Sequence, residues 1–206
     1  MTYTTKILSL IGLTFALSAC GTLFGTADEE LPRYSEPRFQ NEKPIELKVN
    51  KIDIISEFTP SFTRPNVEHL FPVSIEKTAK LWASDRLKAA DFSSAKIAEV
   101  TIKDASVTEE LEESSQIFEK DKVKYSARLV VSVKVSDPDS LAQASTEVEA
   151  WRSLTIPANT DIANKEIYWN NMVQKLFDDF NDRMTINIHQ YLNAFIVNQE
   201  IVPTYY

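Results

Sequence analysis

From Val123 to Val135 the odd positions are Val123, Tyr125, Ala127, Leu129, Val131, Val133 and Val135, and the intervening positions are Lys124, Ser126, Arg128, Val130, Ser132 and Lys134. Side chains alternate between the faces of a strand, so this run defines one dry face and one mostly wet face. Slipping its pairing by one residue would turn every valine to water, which pins the parity of whatever pairs with it. A sheet with one such face must bury it under a second layer, and the rest of the chain has to supply that layer.

The next segment continues the pattern. Ser136-Asp137-Pro138-Asp139-Ser140 is a turn sequence, and Ala144, Val148, Ala150, Leu154 and Ile156 then alternate on even positions up to Pro157. A four-residue loop over Asp137–Ser140 sets Ser136 opposite Leu141, Val131 opposite Thr146, Leu129 opposite Val148 and Arg128 opposite Glu149. Thr160 or Asp161 can cap a final helix. Its stripe runs through Trp169, Met172, Val173, Leu176, Phe180, Met184, Ile188, Tyr191, Leu192 and Phe195 at steps of three and four. About 36 residues give roughly 54 Å of helix, against about 40 Å for a 12-residue strand, so this helix should overhang the sheet, bend or break.

Earlier in the chain, Ile45, Leu47 and Val49 alternate, and Ile52 and Ile54 continue on the other parity. That predicts a first strand with a bulge or twist near Lys51. Pro72 suits the first turn of a helix, and Ile75, Ala79, Trp82 and Arg86 carry it to about Lys88. Val100 and Ile102 start a second strand toward Val107, followed by an acidic loop of Glu109, Glu110, Glu112, Glu113, Glu119 and Asp121. The expected fold is α+β: a two-layer sandwich with an approximately four-stranded, mostly antiparallel sheet and two helices on one face, in the order β-α-β-β-β-α. Trp82 and Trp169 are the expected anchors of the helices on the sheet.

Glycine usage narrows the chemistry. The three glycines are Gly12, Gly21 and Gly25, so nothing beyond residue 25 contains one. Phosphate-cradling loops, dinucleotide fingerprints and nucleophile elbows all require glycine at close backbone approaches. With 22 basic and 30 acidic side chains, the net charge of −8 also argues against nucleic acid as a partner, since that partner rewards basic patches. His69 and His189 are the two histidines; isolated and without a second cysteine-type ligand, they make a poor metal site. Asp178, Asp179 and Asp182 read as a solvated helix face. The expectation is therefore no catalytic residue, no cofactor and no metal.

Cys20 is the only cysteine, and it closes Leu17-Ser18-Ala19-Cys20 after the apolar run Ile7–Ala19. The run is shorter than the roughly 20 residues a spanning helix needs but suits a signal h-region, with Lys6 ahead of it. This segment resembles a bacterial lipoprotein signal, whose lipobox cysteine is acylated and becomes the first residue. The resemblance implies a signal peptide over 1–19, lipidation of Cys20, a palmitate-type anchor and a periplasm-facing chain. Several buried acyl chains, at about 0.8 kcal/mol per CH₂, hold far more firmly than one. Gly21, not aspartate, follows the cysteine, which the family's sorting rule assigns to the outer membrane. Residues 20–44, with Pro32, Pro37 and Pro44, read as a flexible tether of on the order of 80 Å when extended, and 45–206 as one domain.

The connection over 56–72 stands out, because long unstructured loops in compact domains are often functional. Phe58, Phe62, His69, Leu70 and Phe71 are the candidate partner-binding residues, against the alternative that they pack on the core. The Tyr205-Tyr206 tail reads as frayed. Asn66-Val67-Glu68-His69-Leu70-Phe71-Pro72, Trp82-Ala83-Ser84-Asp85-Arg86-Leu87 and Ile102-Lys103-Asp104-Ala105-Ser106-Val107 resemble uncharacterised lipoproteins of alphaproteobacteria, with Asp91-Phe92-Ser93 replacing a glycine expected after the first helix. In topology the chain is similar to small auxiliary lipoproteins of envelope transport systems, such as the lipopolysaccharide-export plug lipoprotein. That likeness implies an accessory or assembly factor that docks on another envelope protein. The alternative is a carrier or sensor holding a lipid between the sheet and the long C-terminal helix.

Overall fold

The structure, a computed structural model, describes residues 34–114 and 120–197. The leader, Cys20, the tether as far as residue 33 and the Tyr205-Tyr206 tail lie outside the described residues.

The parity change near Lys51 is a change of sheet and not a bulge. Strand β1 (Ile45–Leu47) and strand β2 (Lys51–Ser56) belong to different sheets, with a bend between them. β1 runs parallel to β3 (Leu87–Ala89), Ile45 opposite Leu87. On its other side Lys48 N–H donates to Phe195 O at 2.7 Å and Val197 N–H to Glu46 O at 2.9 Å. Val49, on the bend, is fully buried.

The main sheet holds β2, β4 (Ile97–Asp104), β5 (Val107–Glu112), β6 (Lys122–Ser136) and β7 (Gln143–Pro157). β2 is parallel to β4; every other pairing is antiparallel. β4 and β5 lie end to end along one edge of β6, from Ile97 opposite Ser136 to Glu112 opposite Lys122, with a register irregularity between Ile102 and Asp104. β7 follows the other edge along its whole length. Five strands thus occupy four places across the sheet, which is the α+β layout the alternation predicts, enlarged by one parallel edge. The acidic segment expected as a loop is instead β5 in part. Glu110 and Glu112 stand opposite Lys124 and Lys122, and opposite charges across a strand pair favour pairing.

The β6–β7 parity is as predicted and the register is not. Asp137 N–H donates to Ala142 O at 2.8 Å, so the loop has two more residues than the turn sequence suggests. Leu141 takes φ 58°, and Ser136 faces Gln143, Val131 faces Val148 and Arg128 faces Trp151. The Arg128–Glu149 ion pair survives as a diagonal contact, Nε to Oε1 at 2.7 Å. Asp137 holds the wider loop together, accepting from Asp139 N–H and from the Ser140 hydroxyl.

Helix α1 (Ile75–Arg86) starts at Ser74, whose hydroxyl accepts from Lys77 N–H, and stops just short of the expected end because Leu87 goes extended into β3. Helix α2 (Ile162–Tyr191) starts at Asp161, which accepts from Asn164 N–H at 3.0 Å. Its 30 residues, about 45 Å long, match the 15-residue β6 and β7, about 50 Å long. Of the expected outcomes the helix takes the break, stopping at Tyr191 before Phe195 is reached, and with strands longer than the alternation alone indicates no overhang remains. α2 ends at Leu192 and a 3-10 turn over Asn193–Phe195 follows. Trp82 and Trp169 are buried, as their stripes predict. Trp82 stacks edge-on to Phe180 at 4.9 Å, joining α1 to α2.

Residues 34–44, expected as the end of the tether, are part of the folded body. Phe39 is buried 6.3 Å from the Phe177 ring. Arg38 forms a bidentate pair with Asp85, both contacts 2.7 Å, and Phe39 N–H adds a third bond to that carboxylate at 3.0 Å. Arg38 beside it holds the Asp85 carboxyl down at about 2, against the ordinary 3.8, with the Phe39 amide helping. Prolines and scattered charge hid this docking, since its large apolar contributors are only Phe39 and the partly buried Tyr34.

Candidate functional site

The 56–72 connection does not behave as one unit. Glu57 N–H donates to Ile102 O, extending the line of β2, and Phe58 packs half-buried on the core. Further on, Val67 N–H donates to Val107 O and Glu109 N–H to Pro65 O, each at 2.8 Å. The loop therefore covers the outer edge of β5 as a short strand would, and Val67 is fully buried. Glu68 braces it: one oxygen accepts from Ser61 N–H at 3.1 Å, and the other lies 3.5 Å from Val107 N. Arg64 pairs with Glu109 at 2.9 Å.

Phe71 is core, stacked on Trp169 at 4.8 Å and 16° and edge-on to Tyr125. Phe62, His69 and Leu70 stay outside. Phe62 is 67% exposed and Leu70 46%, and the Phe62 and His69 rings stand 5.4 Å apart. Phe62 holds φ 54°, a conformation that is unfavourable for a residue with a bulky side chain. Of the five candidate residues, two belong to the core and three form an exposed apolar and aromatic knob.

A second surface was legible in the sequence only through its Arg128–Glu149 pair. The sheet face away from the helices carries a ladder of ion pairs: Lys103 to Glu147 at 2.7 Å, Arg128 to Glu149 at 2.7 Å and Arg128 to Asp104 at 2.5 Å. Beside it Trp151 is 70% exposed. Only the odd position of Trp151 on β7 foretold that exposure.

Several buried polar groups join α1, α2 and the segment ahead of β1, whereas Trp169 Nε1–H is buried with no acceptor among the described residues. Asn181, buried on α2, accepts from Trp82 Nε1–H and Arg86 Nε–H, both at 3.0 Å, and its amide donates to Glu42. Arg86 also donates to Lys43 O and to the Thr185 hydroxyl. Asp179 of the acidic helix face pairs with Arg152 at 2.5 Å. His69 sits on the loop and His189 near the end of α2. Among the described residues no three His, Cys, Asp or Glu side chains are placed to hold a metal ion, and no helix is long and apolar enough to cross a membrane. Trp169, Leu176, Phe177, Phe180 and Met184 of α2 and Leu129, Val131 and Val133 of β6 are buried in one hydrophobic core.

The chain matches no protein-family model and no curated protein. Among solved structures it is similar to a minor lipoprotein from Acinetobacter baumannii, at 11% identity and TM-score 0.38, covering 74% of this chain and 99% of that one. A Xanthomonas campestris protein of the DUF330 family is similar at 9% identity and TM-score 0.34, covering 74% and 92%. Rare lipoprotein B from Shewanella oneidensis is similar at 12% identity and TM-score 0.31, covering 68% and 98%. The likeness is distant. The kinship with alphaproteobacterial lipoproteins read from residues 66–72, 82–87 and 102–107 is not recovered, and a distant structural likeness to bacterial lipoproteins stands in its place.

Proposed function

We propose that this chain is a non-catalytic lipoprotein of the bacterial cell envelope, anchored through acylated Cys20 on the periplasmic side of the outer membrane, and that it serves another envelope protein as an accessory or assembly factor. The carrying observation is the lipobox-like Leu17-Ser18-Ala19-Cys20 set a short tether ahead of a folded body. Because residues 34–44 belong to that body, the tether shortens to residues 21–33, a reach of about 45 Å when extended. Phe62, His69 and Leu70 form the docking knob, since exposed aromatic and aliphatic side chains on a braced loop are the type of anchor that interfaces use.

Photo-crosslinking in intact cells tests the docking. A crosslinking amino acid at Phe62 or Leu70 should give a discrete heavier species, and one at buried Phe71 should not. Monomer alone from both exposed positions would contradict the reading.

A further inference from the structure

A groove of about 580 Å³ lies between β7 at Ala150–Ser153 and the flank of α2 at Asp179, Asp182 and Arg183. That volume falls within the roughly 300–1,000 Å³ of small-molecule sites. Its charged lining is balanced, Arg152 and Arg183 against Asp179 and Asp182. Part of this set is already engaged. Arg152 pairs with Asp179 at 2.5 Å, and Arg183 donates to Glu149 O at 2.7 Å.

What is left over is what a ligand would meet. A guanidinium carries five N–H donors, and Arg183 has no carboxylate partner among the described residues; Asp182 likewise has no cationic one. Arg152 Nε–H is buried with no acceptor among the described residues, a cost that a ligand oxygen in the groove would relieve. Trp151 also lines the groove and is 70% exposed, whereas Trp82 and Trp169 are buried. The groove thus combines unused donors, an unused acceptor and an open indole.

The balance of charge narrows the ligand. An anion drawn to Arg183 meets Asp182 beside it and Asp179 one helical turn back; a cation drawn to Asp182 meets both arginines. A neutral ligand escapes both penalties. Its polar groups must donate to a carboxylate and accept from a guanidinium in the same small space, which a hydroxyl group can do. A pyranose has a rim of hydroxyls and a face of C–H groups, and the positive C–H edge suits the negative face of an indole. We infer that this groove binds an uncharged pyranose unit of a glycan, its hydroxyls accepting from Arg152 and Arg183 and donating to Asp182, with one ring face against Trp151. The site goes beyond the accessory role above and uses a surface separate from the Phe62–Leu70 knob.

The test uses the acylated full-length lipoprotein, in a detergent without a sugar headgroup, on an array of neutral, acidic and basic oligosaccharides, followed by titration of each sugar that binds. Neutral glycans should bind, with an affinity that changes by less than about twofold between about 50 and 500 mM salt. The bound sugar should shield Trp151, the one exposed tryptophan, from acrylamide quenching. Trp151→Ala and Asp182→Ala should each weaken binding about tenfold or more, and Trp151→Tyr should keep most of it. Both positions are exposed, so the thermal midpoints should hold. Titration with the same sugar free and lipid-linked in vesicles tells a soluble glycan from a membrane headgroup, and binding of either supports the site. Binding of no neutral glycan, salt-sensitive binding confined to charged sugars or free amino acids, or full affinity in Trp151→Ala would each overturn the inference. That failure, with crosslinks from Phe62 and Leu70 intact, removes this site and leaves the accessory role standing.

Discussion

Replacing Asn181 by leucine should destabilise the domain far more than a change of similar volume implies. The asparagine oxygen is the acceptor for Trp82 Nε1–H and Arg86 Nε–H, each at 3.0 Å, and the residue is 5% exposed. Leucine fills the space but leaves both donors facing carbon. An indole N–H stranded in the core costs about 1–3 kcal/mol, and a guanidinium N–H at least as much. Arg86 keeps Lys43 O, Thr185 and Glu42 as partners, which limits its share. The sum is about 3–4 kcal/mol, a large part of the roughly 5–15 kcal/mol available to a domain. Urea unfolding followed by tryptophan fluorescence measures it; Asn181→Asp keeps the acceptor but sets a second carboxylate oxygen against Glu42, to which the amide donates, so it should recover only part of the loss. In a double-mutant cycle Asn181→Leu and Trp82→Phe should couple by about 1 kcal/mol or more. A loss below about 1 kcal/mol for Asn181→Leu, or additive single changes, would refute the idea that this residue joins the two helices.

Three further outcomes follow from single positions. Asp85 has a folded pKa of about 2 against 3.8 ordinarily, so the stability it contributes is complete above about pH 4 and lost as pH falls toward 2; acid titration of Asp85→Asn should give a shallower loss over that window than the parent protein. Leu141→Gly should stabilise by about 0.5–1 kcal/mol in thermal melts, because Leu141 holds φ 58° with its side chain 87% exposed and so has little packing to lose. Trp169→Ala should cost about 3–5 kcal/mol in denaturant unfolding, as it removes the ring on which Phe71 and Tyr125 pack.

Periodicity made most of the fold legible. The odd positions of β6, the even positions of β7 and the stripes holding Trp82 and Trp169 bury largely as their spacing predicts, because a strict period leaves one face to choose; Tyr191, at the end of the second stripe, is instead 54% exposed. What escaped depends on contacts distant in sequence. The turn signal at Asp137-Pro138 marks a loop without fixing its length, so the hairpin register moved by two residues while its parity stood. Lys51 marks a passage between sheets, which a local pattern cannot tell from a bulge. Phe39 and Arg38 gave no periodic signal, and their docking depends on Asp85 and Phe177, far along the chain. The exposed knob was visible only as an unusual loop; partition of Phe58 and Phe71 inward from Phe62 and Leu70 outward required knowing where β5 and Trp169 lie.

The central claim is that Cys20 carries the protein's attachment to the membrane. Metabolic labelling with a palmitate analogue, followed by fractionation of intact and Cys20→Ser protein, tests it most directly. The account predicts label and sedimentation with outer membranes for the parent chain, and neither for Cys20→Ser, which should keep residues 1–19 uncleaved. An unlabelled parent chain, or a Cys20→Ser variant that remains labelled in the same membrane fraction, would contradict it.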